Sequence, residues 1–170
     1  MELKLIIEQL AANAQRIRVL ASRIPDTQAR WRAESGSWSI LEVVSHLLDE
    51  ETEDFRARLN LILLHPGDPW LRIDPGAWVT ERHYNERDLG DTLAEFLNAR
   101  AESLLWLQTL ETPDWNAPYV APFGRITAGD VLSSWLAHDM LHMRQIIELQ
   151  WAFAMDVLTP PYRVIYAGEW

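Results

Sequence analysis

The stretch Ser134–Gln145, which reads Ser-Trp-Leu-Ala-His-Asp-Met-Leu-His-Met-Arg-Gln, decides how the fold of this chain is interpreted. His138 and His142 are four residues apart, so on a helix their side chains project from one face, about 6 Å apart along the axis. Residues typical of a bundle interior share that face: Val131, Trp135, Gln145, Ile146, Leu149 and Phe153. The pair can bind one ion, or each histidine can form its own hydrogen bonds; spacing alone leaves both open.

Composition limits the classes of protein to which the chain can belong. Its 170 residues, 48% hydrophobic and 24% charged, are typical of one globular domain over residues 1–170. The net charge of −10 argues against nucleic acid as a partner. With no cysteine, a metal must use histidine, carboxylate or water. Charged residues interrupt the first apolar run, so this run is not expected to be a signal peptide or a membrane-spanning helix. We expect a soluble, cytoplasmic protein.

Apolar spacing and capping signals predict four long helices. The first helix has an apolar stripe from Leu3 to Ile24 and ends before Pro25; the second runs from a capping box at Ser39 and Glu42 to about Leu64; the third runs from Asp88 or Asp91 to near Leu110; and the fourth runs from a cap at Thr127 to near Phe153. Helices of this length without strand-like alternation indicate an all-α four-helix bundle.

Two long connections are rich in aromatic residues. The first, residues 65–87, is long enough to cross the molecule, so the bundle is expected to have a long crossover between helices 2 and 3. The second connection joins helices 3 and 4. Both are long enough to act as lids over a site. The aromatic tail from Tyr162 to Trp170 is expected to pack on the bundle surface.

The second helix has two differently marked faces on a helical wheel. His46 shares one face with Asp49, Glu50 and Glu53. The opposite face carries an apolar stripe made of Leu41, Val44, Leu48, Phe55, Leu59 and Ile62. Either this stripe faces the core and His46 lies on a solvated face, which is the commoner arrangement of charges, or His46 points inward and another helix or a second chain covers the stripe. The inward arrangement predicts a homodimer through the stripe.

Arg100 interrupts the apolar stripe of the third helix. A guanidinium on an apolar face must be paired, lie at a wet cavity, or extend to the bundle edge. We expect Arg100 and Trp135 to line a substrate pocket.

The order of these signals resembles the DinB-like superfamily of metal-binding four-helix bundles, and the match covers most of the chain. The resemblance rests on Trp38-Ser-Ile-Leu-Glu-Val-Val-Ser-His46, Thr127-Ala-Gly-Asp and His138-Asp-Met-Leu-His142-Met-Arg-Gln. It implies that the metal ligands are His46, His138 and His142, and therefore that His46 points inward.

The implied ligand set has a defined chemistry. Three imidazoles with water or a carboxylate form the open site of catalytic zinc; nickel is equally expected, and iron or manganese also fit. Glu50, one turn after His46, is a candidate fourth ligand or a carboxylate that orients an imidazole. Asp49 and Asp139 are alternatives for the orienting role.

The resemblance also implies a class of reaction. Members of the superfamily include thiol-cofactor transferases and a thiol-dependent maleylpyruvate isomerase, so we expect a metal-dependent enzyme that uses a small-molecule substrate and a low-molecular-weight thiol. Arg100 would then hold an anionic group of the thiol. Two alternatives stay open: a metal-dependent hydrolase, in which a metal activates water, and a non-catalytic, stress-associated dimer with a structural metal or none.

Overall fold

Four long helical segments form the bundle, in a computed structural model that describes residues 2–168. The helices are α1 (Leu3–Ala21), α2 (Asp26–Ala29), α3 (Ile40–Asp49), α4 (Arg56–Leu64), α5 (Pro75–Glu81), α6 (Leu89–Gln108) and α7 (Ala128–Phe153). A π-helical segment, Glu50–Phe55, joins α3 to α4 in one continuous helix. α1 and α3 each pack against both α6 and α7. The predicted all-α four-helix bundle is confirmed.

Two of the long helices begin at the capping boxes that the sequence predicts. The Ser39 hydroxyl accepts a hydrogen bond from the Glu42 amide, and the Glu42 carboxylate accepts one from the Ser39 amide at 2.7 Å. Thr127 and Asp130 form the same reciprocal pair at the start of α7. These bonds satisfy amides that have no partner within the helix, so the start of each helix is defined locally.

The first long connection returns to the end of the bundle where α3 begins. The Ser39 hydroxyl donates to the Asn85 side chain at 2.7 Å, and α6 starts four residues later with Asp88 as its cap. α3 and α6, which pack against each other, therefore start at the same end. Parallel neighbours need a connection of this kind, and the predicted crossover is confirmed. It contains α5 and a 3₁₀ turn, Tyr84–Glu86.

The apolar stripe of the second helix is not a dimer surface. Every residue from Ile40 to Glu51 is buried, because α6, α7 and the crossover cover this helix on all sides. The whole expected stripe lies inside the chain: Leu41, Val44, Leu48, Phe55, Leu59 and Ile62 are at most 8% exposed. His46 is buried as well, at 6% exposed. Both faces of the helix therefore lie inside the chain, whereas each expected arrangement left one face outside the core.

Two short strands lie in the second connection, where the sequence predicted none. β1 (Pro118–Ala121) pairs antiparallel with β2 (Gly124–Thr127). Each strand is four residues long, too short for alternating hydrophobicity to stand out. Gly124 has a φ of 136°, which the turn requires and which side-chain-bearing residues rarely adopt.

The chain after α7 does not pack on the bundle as expected. Tyr162 is 82% exposed and Tyr166 is fully exposed; Glu169 and Trp170 lie outside the described residues. The first helix is also shorter than predicted, since α1 ends at Ala21 and Arg23 adopts a positive φ. Within residues 2–168, none of the helices combines the length and apolar character needed to cross a bilayer.

Ser39→Ala is expected to lower the free energy of unfolding by about 1–2 kcal/mol, because it removes the cap and leaves the Asn85 carbonyl without its buried donor. Urea denaturation monitored by circular dichroism measures the change. Ser133→Ala, at an exposed position within α7, is the matched control and should change stability by less than about 0.5 kcal/mol. Equal effects of the two substitutions would contradict the role of the cap.

Candidate metal centre

Three histidines from two helices meet inside the bundle. His46 comes from α3, and His138 and His142 come from successive turns of α7. The Nε2 atom of His138 lies 3.2 Å from Nε2 of His46 and 3.1 Å from Nε2 of His142. One ligand atom from each ring can be chosen so that all three lie within 4.8 Å of one another. The three residues that the sequence singled out as ligands are therefore brought together.

Burial keeps these imidazoles neutral. Loss of hydration, and next the proximity of His142, lowers the pKa of His46 to about 3. Burial together with the neighbouring histidines lowers the pKa of His138 to about 2. The pKa of His142 is lowered by burial too, although its hydrogen bond to Gln145 opposes the shift. Neutral imidazole is the form that binds a metal, so no proton has to be removed near pH 7.

The two Nε2 separations at His138 fit a shared metal ion better than mutual hydrogen bonding. Ligand atoms about 2.0–2.1 Å from a tetrahedral ion lie about 3.3 Å apart, close to the separations of 3.1 and 3.2 Å from His138 to His142 and His46. A hydrogen bond between two neutral rings needs one Nε2–H and one lone pair. His138 has a single Nε2 atom facing two others, so at most one of the two short contacts can contain its proton.

Gln145 fixes the orientation of His142. Its side-chain oxygen lies 2.8 Å from Nδ1 of His142, one helical turn away, and accepts the Nδ1 proton. The proton on Nδ1 leaves the Nε2 lone pair free to point at the centre of the cluster. The sequence pattern assigns Gln145 only to the bundle interior. Its position three residues after His142, one helical turn away, is the feature of the sequence that indicates this contact.

Glu50 lies behind His46. One carboxylate oxygen is 3.9 Å from Nδ1 of His46, and neither atom has a hydrogen-bond partner among the described residues. Burial raises the pKa of Glu50 to about 7, with Arg58 opposing the rise and Asp49 adding to it. Nδ1 is on the opposite side of the ring from Nε2, so this oxygen is close to the position from which it would hold the Nδ1 proton.

Asp49 is occupied elsewhere. Its carboxylate accepts hydrogen bonds from Arg82 at 2.7 Å and Tyr84 at 2.6 Å, and Arg87 lies 3.8 Å away. All three partners belong to the crossover or its end. Asp49 therefore holds the crossover on α3, and the structure does not place it with the imidazoles as the sequence analysis suggested.

Asp139 and Arg100 form a buried ion pair. Both terminal nitrogens of Arg100 lie 2.8 Å from the Asp139 carboxylate, and one of them also lies 2.8 Å from Glu51. Burial opposes the charge of Arg100, but the hydrogen bond to Asp139 and the charge of Glu51 leave its pKa above the usual value. Asp139 thus pairs with a guanidinium rather than orienting a histidine.

Arg100 and Trp135 belong to this buried network and do not line a substrate pocket as expected. The indole N–H of Trp135 donates to Glu51 at 2.9 Å, and Trp135 and Arg100 are each 1% exposed. Both lie in the core because their polar groups find buried carboxylate partners there. Glu51 was missed by the sequence analysis, since a wheel with 100° per residue turned it away from His46.

A cavity of about 250 Å³ adjoins the histidine cluster. Phe55 separates the two: its ring lines the cavity and lies 4.9 Å from the ring of His138. Ser134, one turn before His138, lines the same cavity. None of the three histidines lines the cavity itself, so the ring of Phe55 is the wall between the cavity and His138. Its other walls are Asp54, Arg58, Trp70, Phe123, Ile126, Asp130 and Val131.

The two aromatic connections meet over this cavity in part. The ring of Trp70 lies 5.4 Å from Tyr119 and 5.8 Å from Phe123. Trp78 instead stacks beneath Arg82 at 3.8 Å, and Tyr84 binds Asp49. Only the beginning of the crossover, with the hairpin, therefore covers the cavity.

Comparison with known proteins identifies the family. A family model described as the DinB superfamily matches residues 9–146, which include all three histidines. The chain belongs to the DinB superfamily. This confirms the resemblance read from the sequence.

A solved structure gives the DinB bundle a structural neighbour. It is described as "YfiT from Bacillus subtilis is a probable metal-dependent hydrolase with an unusual four-helix bundle topology". The TM-score is 0.79 at 21% sequence identity, and the match covers 90% of this chain and 88% of that chain. At this identity the likeness shows a shared fold. The comparison with curated proteins found no match.

Protonation of the histidines should make the metal-free DinB chain less stable in acid. Between pH about 6.5 and about 3 the unfolded chain binds protons that the folded chain excludes from His46 and His138, so the free energy of unfolding falls as pH is lowered. Each such group contributes a slope of at most about 1.4 kcal/mol per pH unit. Urea denaturation at pH about 7 and about 5 measures the combined slope.

Substitution isolates the contribution of one histidine. His46→Gln should flatten the pH dependence, whereas His65→Gln, at an exposed position, should leave it unchanged. Glu50 acts in the opposite direction, since its raised pKa makes the folded chain bind the extra proton between about 4.5 and about 7. Because Glu50 is present in both the parent chain and His46→Gln, its contribution cancels when the two pH slopes are compared. An unchanged slope in His46→Gln would show that this imidazole is not held neutral by the fold.

Proposed function

We propose that this chain binds one divalent cation through His46, His138 and His142 and catalyses a metal-dependent reaction on a small molecule. The observation that carries the proposal is the convergence of three neutral imidazoles, with Nε2 separations of 3.1 and 3.2 Å. Zinc or nickel is the first expectation, because both bind imidazole well, and iron or manganese fit the same donor set. Bound there, the cation would supply Lewis acidity to a substrate, a thiol or a water.

The charges around the site favour a cation. Two buried carboxyl groups, those of Glu51 and Asp139, share the single guanidinium of Arg100. Glu50 adds a further carboxyl group next to His46. A divalent ion would be favoured by carboxyl groups in excess of buried cations, whereas a protonated histidine is opposed by burial.

We assign Glu50 an orienting role rather than that of a ligand. Its nearest oxygen faces Nδ1 of His46, while Nε2 of the same ring faces the other histidines. A carboxylate that closed this 3.9 Å gap would hold the Nδ1 proton and direct the opposite lone pair at the metal. Gln145 is already within hydrogen-bond distance of Nδ1 of His142, at 2.8 Å. His142 therefore has a partner that selects the binding tautomer, and Glu50 is placed to become one for His46.

The cavity beside His138 is suited to a small, mainly apolar group. At about 250 Å³ it is slightly below the range of about 300–1,000 Å³ typical of ligand pockets. Phe55, Trp70 and Phe123 provide aromatic walls. Arg58 is paired with Asp54 and stacks on Trp70 at 4.0 Å, so its charge is largely neutralised. These features support a substrate with an apolar body that reaches the metal past Phe55.

Thiol transfer is the first candidate reaction. In this reaction a low-molecular-weight thiol would give its proton to solvent, and its sulfur would bond to an electrophilic carbon of a substrate held in the cavity while the bond from that carbon to its leaving group breaks. The chain has no cysteine, so no protein thiolate competes for the position left open by the three histidines. Thiol-dependent enzymes are among the members of the superfamily that the sequence resembles, which is compatible with the same choice. The anion-binding role expected of Arg100 falls away, because that side chain is buried and paired.

Metal-dependent hydrolysis is the second candidate, favoured by the structural likeness to YfiT, which is described as a probable metal-dependent hydrolase. Both reactions use the same histidines and the same cavity. They differ in the molecule that loses a proton, which is water in one case and a thiol in the other.

Metal content tests the ligand set. The purified parent chain is expected to bind about one divalent ion per chain, and His142→Ala should lose it in competition with a chelator, because two imidazoles alone bind far more weakly. His65→Ala, at an exposed position, is the control and should keep the full content. Glu50→Gln should weaken affinity by about 10 to 100-fold, the usual cost of losing an orienting partner. Undiminished content in His142→Ala, measured by elemental analysis, would refute the site.

Spectroscopy of the cobalt-loaded chain distinguishes the two reactions. Titration with low-molecular-weight thiols should produce a sulfur-to-metal charge-transfer band if a thiol is the co-substrate. Simple anions such as acetate serve as the comparison. If anions change the cobalt spectrum and no thiol does, thiol transfer is refuted and hydrolysis becomes the leading candidate.

A further inference from the structure

The histidine cluster is covered unequally on its two sides. On one side, the indole of Trp38 lies 4.9 Å from the ring of His46 and 6.4 Å from the ring of His142, and it is parallel to the latter within 6°. These two histidines are only 6% and 7% exposed. His138 is half-buried and is the most accessible of the three. A small molecule therefore reaches the cluster most easily at His138.

Phe55 stands at this point of access. Its ring lies 4.9 Å from the ring of His138 and forms one wall of the cavity of about 250 Å³. Of the cavity walls in the described part of the chain, it is the one whose ring contacts a candidate metal ligand. A molecule held in the cavity must therefore pass this ring before it reaches the three imidazoles.

The ring of Phe55 is held in place. It stacks on the indole of Trp135, with the centroids 5.8 Å apart and the planes within 5° of each other. Trp135 is itself 1% exposed, and its N–H donates to Glu51 at 2.9 Å, so the stacking partner is fixed. Phe55 is also 8% exposed and lies within a continuous helix. A side chain packed in this way limits passage by its position, because little space is left on the Trp135 side into which the ring could turn.

We propose that Phe55 determines which molecules react at the histidine centre. Its ring admits an unbranched chain end and excludes a reacting carbon that carries two further methyl groups, because closely packed sites tolerate added carbon atoms poorly. This inference rests on the proposed function, since it concerns the group that would reach the metal.

The volume of the cavity limits the rest of the molecule. An apolar cavity of about 150 Å³ is enough to bind benzene, so a cavity of about 250 Å³ holds roughly one phenyl ring with a short chain. Phe55, Trp70 and Phe123 supply aromatic walls for such a group. The substrate class is therefore an apolar body of about the size of a phenyl ring, joined through an unbranched carbon to the reacting group.

Access to His138 is measured first, in the metal-free chain. Diethyl pyrocarbonate carbethoxylates neutral imidazole nitrogens, and peptide mass spectrometry gives the rate at each histidine. Phe55→Ala should raise the rate at His138 by at least about tenfold, because the ring that covers this imidazole is gone. Phe55→Leu keeps more of the packing and should raise the rate less. Phe153→Ala is the matched control, since Phe153 is also 8% exposed but packs on Trp31, and it should react like the parent.

Selectivity is measured next, in the cobalt-loaded chain, with two thiols that share a phenyl body. Phenylmethanethiol has an unbranched carbon at its sulfur, whereas 2-phenylpropane-2-thiol carries two methyl groups there. The preference of the parent for the unbranched thiol should exceed that of Phe55→Ala by at least about tenfold, since one methylene group in an apolar pocket changes selectivity by about 10- to 200-fold. Phe153→Ala should keep the parent preference. If thiols leave the cobalt spectrum unchanged, phenylacetate and 2-methyl-2-phenylpropanoate make the same comparison with carboxylates.

The two measurements fail separately. Unchanged reactivity of His138 in both Phe55 variants, with circular dichroism showing folded chains, overturns the proposal because Phe55 is then no barrier. A faster reaction at His138 with the same ligand preference in parent and Phe55→Ala also overturns it, since selectivity is then set elsewhere. A chain that binds no cobalt refutes the proposed function and the substrate class with it, while the carbethoxylation rates still decide whether Phe55 shields His138.

Discussion

One buried guanidinium connects all four helices of the bundle. Arg100 on α6 binds Asp139 on α7, Glu51 on the second helix and the Leu10 carbonyl on α1. A buried charge without partners would cost several kcal/mol, so any packing of these helices that separates them is strongly disfavoured. The network fixes how the helices are rotated and aligned along their axes. The three histidines depend on that alignment, because His138 adjoins Asp139, and α3, which carries His46, runs directly into the segment that carries Glu51.

The π-helical segment explains why the second helix serves two purposes. Within Glu50–Phe55 the backbone hydrogen bonds close wider turns than in an α-helix. Each residue is therefore rotated about the helix axis by a smaller angle from the one before it. Glu50 then faces His46, Glu51 reaches Arg100, and Phe55 lies against His138. In a regular helix, Glu51 and Phe55 would point away from His46. Segments of this kind often occur at functional sites, and here one aims three side chains at the site and its supporting network.

The sequence was informative where the determining interactions are local. Capping boxes fixed the starts of two helices, and the i, i+4 spacing placed His138 with His142. The prediction that His46 joins that pair depended on the family resemblance, because a helical wheel does not show which face of a helix its neighbours cover. Arg100 and Trp135 were misplaced since their partner, Glu51, lies in a turn whose geometry the sequence does not reveal. The hairpin was missed because its strands are very short.

The distribution of the ligands along the chain bears on the order in which the molecule can assemble. His138 and His142 belong to one helix, so two of the three candidate ligands are in place as soon as α7 forms. His46 is 92 residues earlier, and the contact closes a long loop whose entropic cost must be met by packing of the intervening α6 and crossover. High affinity for the proposed ion would therefore arise only late in folding, because a chain that has not completed its bundle offers at most a two-histidine site. An ion bound by all three histidines would thus mark a chain that has reached its native arrangement over its whole length.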